Sequence, residues 1–506
     1  MHVINSIGKF YFSTRVPSIE RFIANPIETQ NRIFLHLLHR AGDTEFGKKY
    51  GFKEVRNYEE FKAAVPLQDY ESLKPFFARM QSSEPNVLWP GAIRWFAKSS
   101  GTTNDASKFI PVSEEGLHQS HIKTGKDFLS LYLRNKPSSR FFTGKGLVMG
   151  GAYHPNNKNR DVFAGDVSAI LMKNLDTWIE YFREPGLSIA LLTDWEQKLD
   201  RIADVTMGQN ITNISGVPSW TLLMLRRVLE KSKKKYIKDV WPNIELYCHG
   251  GVGFAPYRPQ FEELMGQPIT YQNVYNASEG FFAFQDTVDN DSMLLHLDNG
   301  VFYEFIPFNG DINTEEAVTI EGVKKGINYA MVISTNSGLW RYIIGDTIEF
   351  TDIAPYRIRI TGRTKHYINV FGEEVTVDNT DKALAAACID SCAEVVDYTI
   401  APIFVTHLDQ GSHEWAIEFV RMPEDLSAFE TLLDSKLQML NSDYQAKRSG
   451  NLAMGNLSII PLVKGTFYEW LKSKEKLGSQ QKIPRLLNER NFINELKQIS
   501  YNIVHV

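Results

Sequence analysis

Between about residues 93 and 350, short apolar runs of strand length alternate with stretches of helical spacing, which restricts the chain to layered α/β architectures. The runs at 146–150, 243–247, 269–275, 301–307 and 328–334 read as strands of sizeable mixed sheets. Pro218, following Ser215-Gly216-Val217, opens a helix with an apolar stripe through Trp220, Leu222, Leu225 and Val228. That stripe reads as core, and its first turn could also lie against a carboxylic-acid substrate. Residues 17–80 carry helical spacing, as in Phe34-Leu37-Leu38. After Gly362 the character changes: a helix (378–392), strands (394–402, 414–421), a second helix (426–440), a strand (457–463) and a short final helix make a small α+β domain. The expected fold class is α/β, with a large N-terminal domain (1–362) holding the mixed sheets and a small, mobile C-terminal α+β domain (363–506).

The chain has 506 residues, 43% hydrophobic and 23% charged, a balance that supports large cores. A net charge of −5 argues against a general nucleic-acid or anionic-membrane binder. The basic run at 231–238 reads as a solvated helix end. Cys248, Cys388 and Cys392 lack zinc-ligand spacing and read as reduced, mostly buried thiols. With no signal-peptide core and no apolar stretch near 18 residues, the expected location is the cytoplasm.

Residues 99–111 carry the chemistry. Ser99, Ser100, Thr102 and Thr103 surround Gly101, and Lys108 follows five residues after Thr103. Glycine permits turns that expose consecutive N–H groups, hydroxyls add donors, and the ammonium adds charge, which suits the β- and γ-phosphates of a nucleotide. The Walker pattern is absent, because no glycine precedes Lys108. Four more segments add to it. Tyr275-Asn276-Ala277-Ser278-Glu279 follows a strand, and Glu279 is either a Mg²⁺ ligand or a helix-start carboxylate. Arg341-Tyr342-Ile343-Ile344-Gly345-Asp346 ends a strand in an acid that can accept ribose hydroxyls. Gly362-Arg363-Thr364-Lys365 marks the domain boundary, and Lys482-Ile483-Pro484-Arg485 places two cations around a proline.

In this order the segments resemble the adenylate-forming superfamily, and more closely its auxin-responsive acyl-acid amido synthetase branch. Both the five-residue interval from Thr103 to Lys108 and Lys482-Ile-Pro-Arg485 match that branch rather than the CoA ligases. The resemblance implies ATP and Mg²⁺ as cofactors, a small carboxylic acid and an amine, here an amino acid, as substrates, and an acyl-adenylate intermediate. It further implies that Ser99, Ser100, Gly101, Thr102, Thr103 and Lys108 hold phosphates, and that Ser278 reaches the α-phosphate. Glu279 would hold the metal. Gly251 and Tyr275 would lie at the adenine, Asp346 would bind the ribose with Arg363 assisting, Asn276 and Tyr342 would belong to the same nucleotide-binding site, and Lys482 would bridge carboxylate and phosphate during adenylation. Lys365 would be the pivot of a domain swing. Asp105 stands where the branch has glycine, and Ile343 replaces an arginine. An acyl-CoA ligase is the alternative reading, and a non-catalytic nucleotide-binding protein the third. For the base that frees the amine, His154, His249, His296 and His366 are open, each with a structural role as the competing reading.

Overall fold

The computed structural model describes residues 2–99, 108–151, 153–155, 161–192, 194–255, 257–288, 290–309, 312–364, 368, 373, 375–403, 411–448, 454–474, 477 and 483–505. The expected helical start is present, and it reaches further back than the periodicity indicated. Helices His2–Ser13, Val16–Ala24, Pro26–Ala41, Glu45–Lys49, Tyr58–Ala64 and Tyr70–Gln81 follow one another. Their starts follow from their caps: Asn57 accepts from the Glu60 N–H, and Asp69 and Ser72 form a reciprocal capping box.

Nineteen strands appear among the described residues. In chain order they are β1 (Trp95–Ser99), β2 (Lys108–Val112), β3 (Lys145–Val148), β4 (Tyr153–Pro155), β5 (Phe163–Gly165), β6 (Arg183–Glu184), β7 (Ile211–Gly216), β8 (Leu246–Gly250), β9 (Thr270–Ala277) and β10 (Gly280–Phe284). There follow β11 (Met293–Leu295), β12 (Val301–Pro307), β13 (Val318–Thr319), β14 (Asn328–Thr335), β15 (Tyr342–Ile353), β16 (Tyr356–Arg363), β17 (Glu394–Ile403), β18 (Ser412–Arg421) and β19 (Ser458–Leu462). The principal sheet runs β13-β12-β14-β15-β16-β11-β10-β9-β8-β7-β3-β6. From β13 to β9 it is antiparallel, and from β9 to β6 parallel. The expected mixed α/β architecture is therefore correct, although the run at 243–247 becomes a strand only from Leu246.

The antiparallel half packs Phe302 against Phe34 of the N-terminal helices. The parallel half packs Leu147, Ile214 and Tyr247 against the helix Pro218–Ser232, which starts at its proline. A separate core of Tyr398, Trp415 and Leu433 holds β17-β18-β19 and the helices Val377–Ser391 and Leu426–Leu440. The final helical segment is two helices rather than one, Thr466–Ser473 and Asn491–His505. Trp470 and Leu496, from these two, join the core of the parallel half, which docks the C-terminal region on it.

Buried Arg341 explains one motif residue structurally. Its guanidinium clasps the Glu304 carboxylate through Nε at 3.0 Å and Nη2 at 2.8 Å, while Nη1 donates to the carbonyls of Lys62 and Val65. Cys248 and Cys388 are buried as expected, whereas Cys392 is exposed at a left-handed helix end. No helix among the described residues is long and apolar enough to cross a membrane.

Candidate active site

β9 and β10 are joined by a two-residue hairpin, with Ala277 paired to Gly280, so Ser278 and Glu279 form its tip. Glu279 is thus a turn carboxylate and does not start a helix. Gly280 admits no side chain here, since a Cβ would come within 2.8 Å of the Phe282 ring. Burial, with Asp346 second, pushes the Glu279 carboxyl up to about 7, opposed by the charges of Arg363 and Lys108.

Asp346 on β15 lies directly across from Arg363 on β16. Arg363 Nε sits 3.0 Å from Asp346 Oδ1, and the Tyr275 hydroxyl donates to Oδ2 at 2.5 Å. One carboxylate thus fixes both a tyrosine of β9 and an arginine of β16. Gly345 (φ +90) takes a conformation that favours glycine, and its carbonyl accepts from the Thr364 N–H at 2.8 Å.

These groups face one cavity of about 1140 Å³, whose wall includes Gly251, Tyr275, Asn276, Ser278, Glu279, Asp346 and Arg363. Gly250 lets β8 run close to β9, because a Cβ there would fall 2.4 Å from the Val274 carbonyl oxygen. Ser215, Gly216 and Val217, just before the helix Pro218–Ser232, line the cavity, whereas Pro218, Trp220 and Thr221 of its first turn, where an acid was expected, do not. Tyr342 does not line it. The residue is 1% exposed, with its backbone bridged to Gln68. Lys108 is also off the cavity wall. Its ammonium lies 5.4 Å from the centre of the Tyr70 ring. Ser99 pairs with Lys108 at the end of the β1–β2 ladder where residues 100–107 connect the two strands. Ser100, Gly101, Thr102, Thr103, Lys365, His366 and Lys482 lie outside the described residues, as do the side chains of Ser99 and His154.

The remaining histidines divide clearly. His296 is fully buried and bonds Asp127 at 2.8 Å, and Asp127 also pairs with Arg15, so it is part of the core. His249 lines the cavity, stacked on Phe254 with centroids 4.1 Å apart, and burial lowers it to about 3. His121 carried no spacing signal in the sequence. It is buried on the cavity wall, with Nδ1 3.0 Å from Asn276 Oδ1, and burial lowers it to about 4. Arg485 was recognised only within its motif. It is buried over the Tyr398 ring, paired with Asp397 and donating to the Tyr257 hydroxyl at 3.0 Å.

Residues 15–269 match the GH3 family N-terminal domain, 294–363 its central domain and 378–491 its C-terminal domain. The chain is 22% identical to indole-3-acetic acid-amido synthetase GH3.4 of Arabidopsis thaliana, over 93% of this chain and 91% of that one. It is 24% identical to jasmonoyl–L-amino acid synthetase JAR6 of Nicotiana attenuata, over 94% and 93%. The fold matches that of the GH3.15 acyl acid amido synthetase with a TM-score of 0.79 at 18% identity, covering 96% of each chain. A 2-hydroxyisobutyryl-CoA ligase in the postadenylation state shares it at a TM-score of 0.57 and 13% identity, over 95% and 93%. With all three of its domains matched in order and a fold shared with adenylate-forming ligases, this chain belongs to the GH3 family of acyl acid amido synthetases.

Proposed function

We propose that this chain, an ATP-using ligase of the adenylate-forming fold, activates a small carboxylic acid as its acyl-adenylate and passes the acyl group to an amino acid, releasing AMP and pyrophosphate. The observation that carries the reading is the convergence of Tyr275, Ser278, Glu279, Asp346 and Arg363, from separate strands and turns, on one cavity wall. Asp346, oriented by Tyr275 and Arg363, keeps lone pairs free for the ribose hydroxyls. Ser278 presents its hydroxyl to the α-phosphate from the hairpin tip. Gly251 and the Tyr275 ring bracket the adenine. Ser99, Ser100, Gly101, Thr102, Thr103 and Lys108 hold the β- and γ-phosphates, with the Lys108 charge near Glu279.

A divalent cation fits Glu279. Its carboxylate is a hard oxygen donor whose charge burial and Asp346 disfavour, so a cation would relieve it. Among the described residues no cluster of three metal-ligating side chains occurs, which suits Mg²⁺ shared with nucleotide phosphates rather than caged by protein. When bound, the ion supplies charge neutralisation as the carboxylate meets the polyphosphate. Lys482 brings a further cation to that encounter, and Lys365 is the pivot between the domain 1–362 and the domain 363–506. The chain acts in the cytoplasm.

The test is pyrophosphate release over a panel of carboxylic acids, followed by mass spectrometry of products with amino acids or CoA supplied. Amide formation is expected, and thioester with CoA but no amide with any amino acid overturns the assignment. Glu279→Gln should lose roughly a hundredfold or more of pyrophosphate release at limiting Mg²⁺, an amide being a poor substitute for a hard anionic ligand.

A further inference from the structure

One face of the principal sheet borders the cavity with small side chains on three neighbouring strands. Cys248 on β8 pairs with Ser215 on β7, and Ser215 pairs with Val148 on β3. All three line the cavity, whereas Leu147, Ile214 and Tyr247, their neighbours in the chain, belong to the core on the opposite face. Gly146 and Asn213 make a second cross-strand pair beside this row. A Cβ at Gly146 would fall 2.5 Å from Asn213 Oδ1, so no side chain rises from the floor there. The polar groups of the floor have partners of their own. The Asn213 amide donates to Thr212 Oγ1 at 3.1 Å, and Ser215 and Cys248 hydrogen-bond each other.

Helices supply apolar wall to the same cavity. Phe128 and Leu129 come from the helix Lys123–Asn135, Met172 from Val167–Asn174, Leu175 from just after it, and Ile179 from Thr177–Glu180. Val148, Leu129, Leu175 and Ile179 are only half-buried, so this wall keeps apolar surface uncovered. A Cβ at Gly125, on the same wall, would have only the Phe281 ring within reach, at 3.9 Å. Two cations border this end, and both are engaged. Lys126 Nζ lies 3.3 Å from Asp176, while Arg183 Nη1 donates to the Pro185 carbonyl at 3.0 Å and Nη2 stands 3.7 Å from Glu180. Neither calls for a second carboxylate on a ligand.

We infer that the acid activated here is a fatty acid, a monocarboxylate whose extended hydrocarbon tail lies across β8, β7 and β3 toward β6. The inference rests on the acid-activating reading of the same cavity. Three strand spacings separate β8 from β6, roughly 14 Å across the sheet. An alkyl chain with bonds of about 1.5 Å advances about 1.25 Å per bond, so this span takes roughly a dozen carbons. A single-ring acid would cover little more than one strand spacing, about 5 Å, and leave the wall beyond β7 bare. Each methylene moved from water onto that wall favours binding by up to about fourfold.

The experiment measures pyrophosphate release by the full-length protein with butyrate, hexanoate, octanoate, decanoate, dodecanoate and tetradecanoate, and with benzoate as the compact comparator. From hexanoate to dodecanoate kcat/KM should rise by at least about a hundredfold, chiefly through KM. Val148→Phe places a ring in the floor midway along the slot and should shift the optimum to octanoate or shorter. A flat series, benzoate preferred to dodecanoate, or an unmutated length profile in Val148→Phe overturns the inference. Should Val148→Phe fail to fold, the unmutated series still decides. Calorimetry with AMP present, comparing hexanoate with dodecanoate, separates the two readings. Tighter dodecanoate binding without pyrophosphate release from any acid defeats the activating role and keeps the slot. Release that is equal at every length defeats the slot alone, and neither release nor binding defeats both.

Discussion

Replacing His121 by asparagine should make the protein less sensitive to acid. The imidazole is buried, and burial lowers it from 6.5 to about 4. In the unfolded chain it takes up a proton near its ordinary value, so between these limits the unfolded state binds more protons than the folded one. The stability that neutral His121 contributes is therefore complete above pH 6.5 and is withdrawn as pH falls toward 4. A depression of this size corresponds to about 3 kcal/mol at about 1.4 kcal/mol per pKa unit. Urea unfolding of the large domain, followed by tryptophan fluorescence from about pH 8 to about pH 4.5, measures it. The unmutated protein should lose up to about 3 kcal/mol more than His121→Asn across that interval, and the difference should be constant above about pH 7. Curves that run parallel throughout would show that His121 does not titrate as its burial requires.

Arg341→Met leaves Glu304 buried with only the Tyr58 hydroxyl among its polar side-chain partners, and should destabilise the large domain by about 3–5 kcal/mol in chemical unfolding. Recovery of most of that loss in Arg341→Met/Glu304→Gln would confirm the stranded charge as its cause, and an unchanged midpoint in the single variant would refute it. Gly250→Ala forces β8 away from the Val274 carbonyl and should lower pyrophosphate release by roughly tenfold or more, more through KM for ATP than through the acid. Lys482→Ala should impair adenylate formation far more than amide formation from a supplied acyl-adenylate, and equal losses in both half-reactions would contradict a first-step role.

What could be read from the sequence follows how local each signal is. The strand through Tyr275 is a short-range pattern and lies where its pattern put it, whereas Ser278-Glu279 forms a hairpin tip, and Gly345-Asp346, expected at a strand end, lies inside β15, which runs on to Ile353. The arrangement of Asp346 between Tyr275 and Arg363 is not local. It depends on β15 pairing with β16 while β9 lies beyond β11 and β10 in the same sheet. His121 and Arg183 had no motif around them, and only the cavity they share with Glu279 sets them apart. The helix His2–Ser13 escaped notice because its buried side is Asn5, Gly8 and Phe12 while Val3, Ile7 and Phe10 face outward, so its apolar residues do not mark its packed face.

The charges around Arg485 have an uneven ownership. Asp397, Asp381 and Arg485 all belong to the C-terminal region, and the Tyr398 hydroxyl that donates to Asp381 at 2.6 Å belongs to it as well. The large domain contributes to this group one neutral hydroxyl, that of Tyr257. If the two regions part, the ions leave together with their mutual attraction intact, and no buried charge is stranded on either side. At this group, separation exposes only a phenol to water, a smaller penalty than breaking an ion pair. The cost of parting the two regions therefore falls on the apolar contacts of Trp470 and Leu496 and on the Arg359–Asp378 pair, and the buried ions around Arg485 add nothing to it.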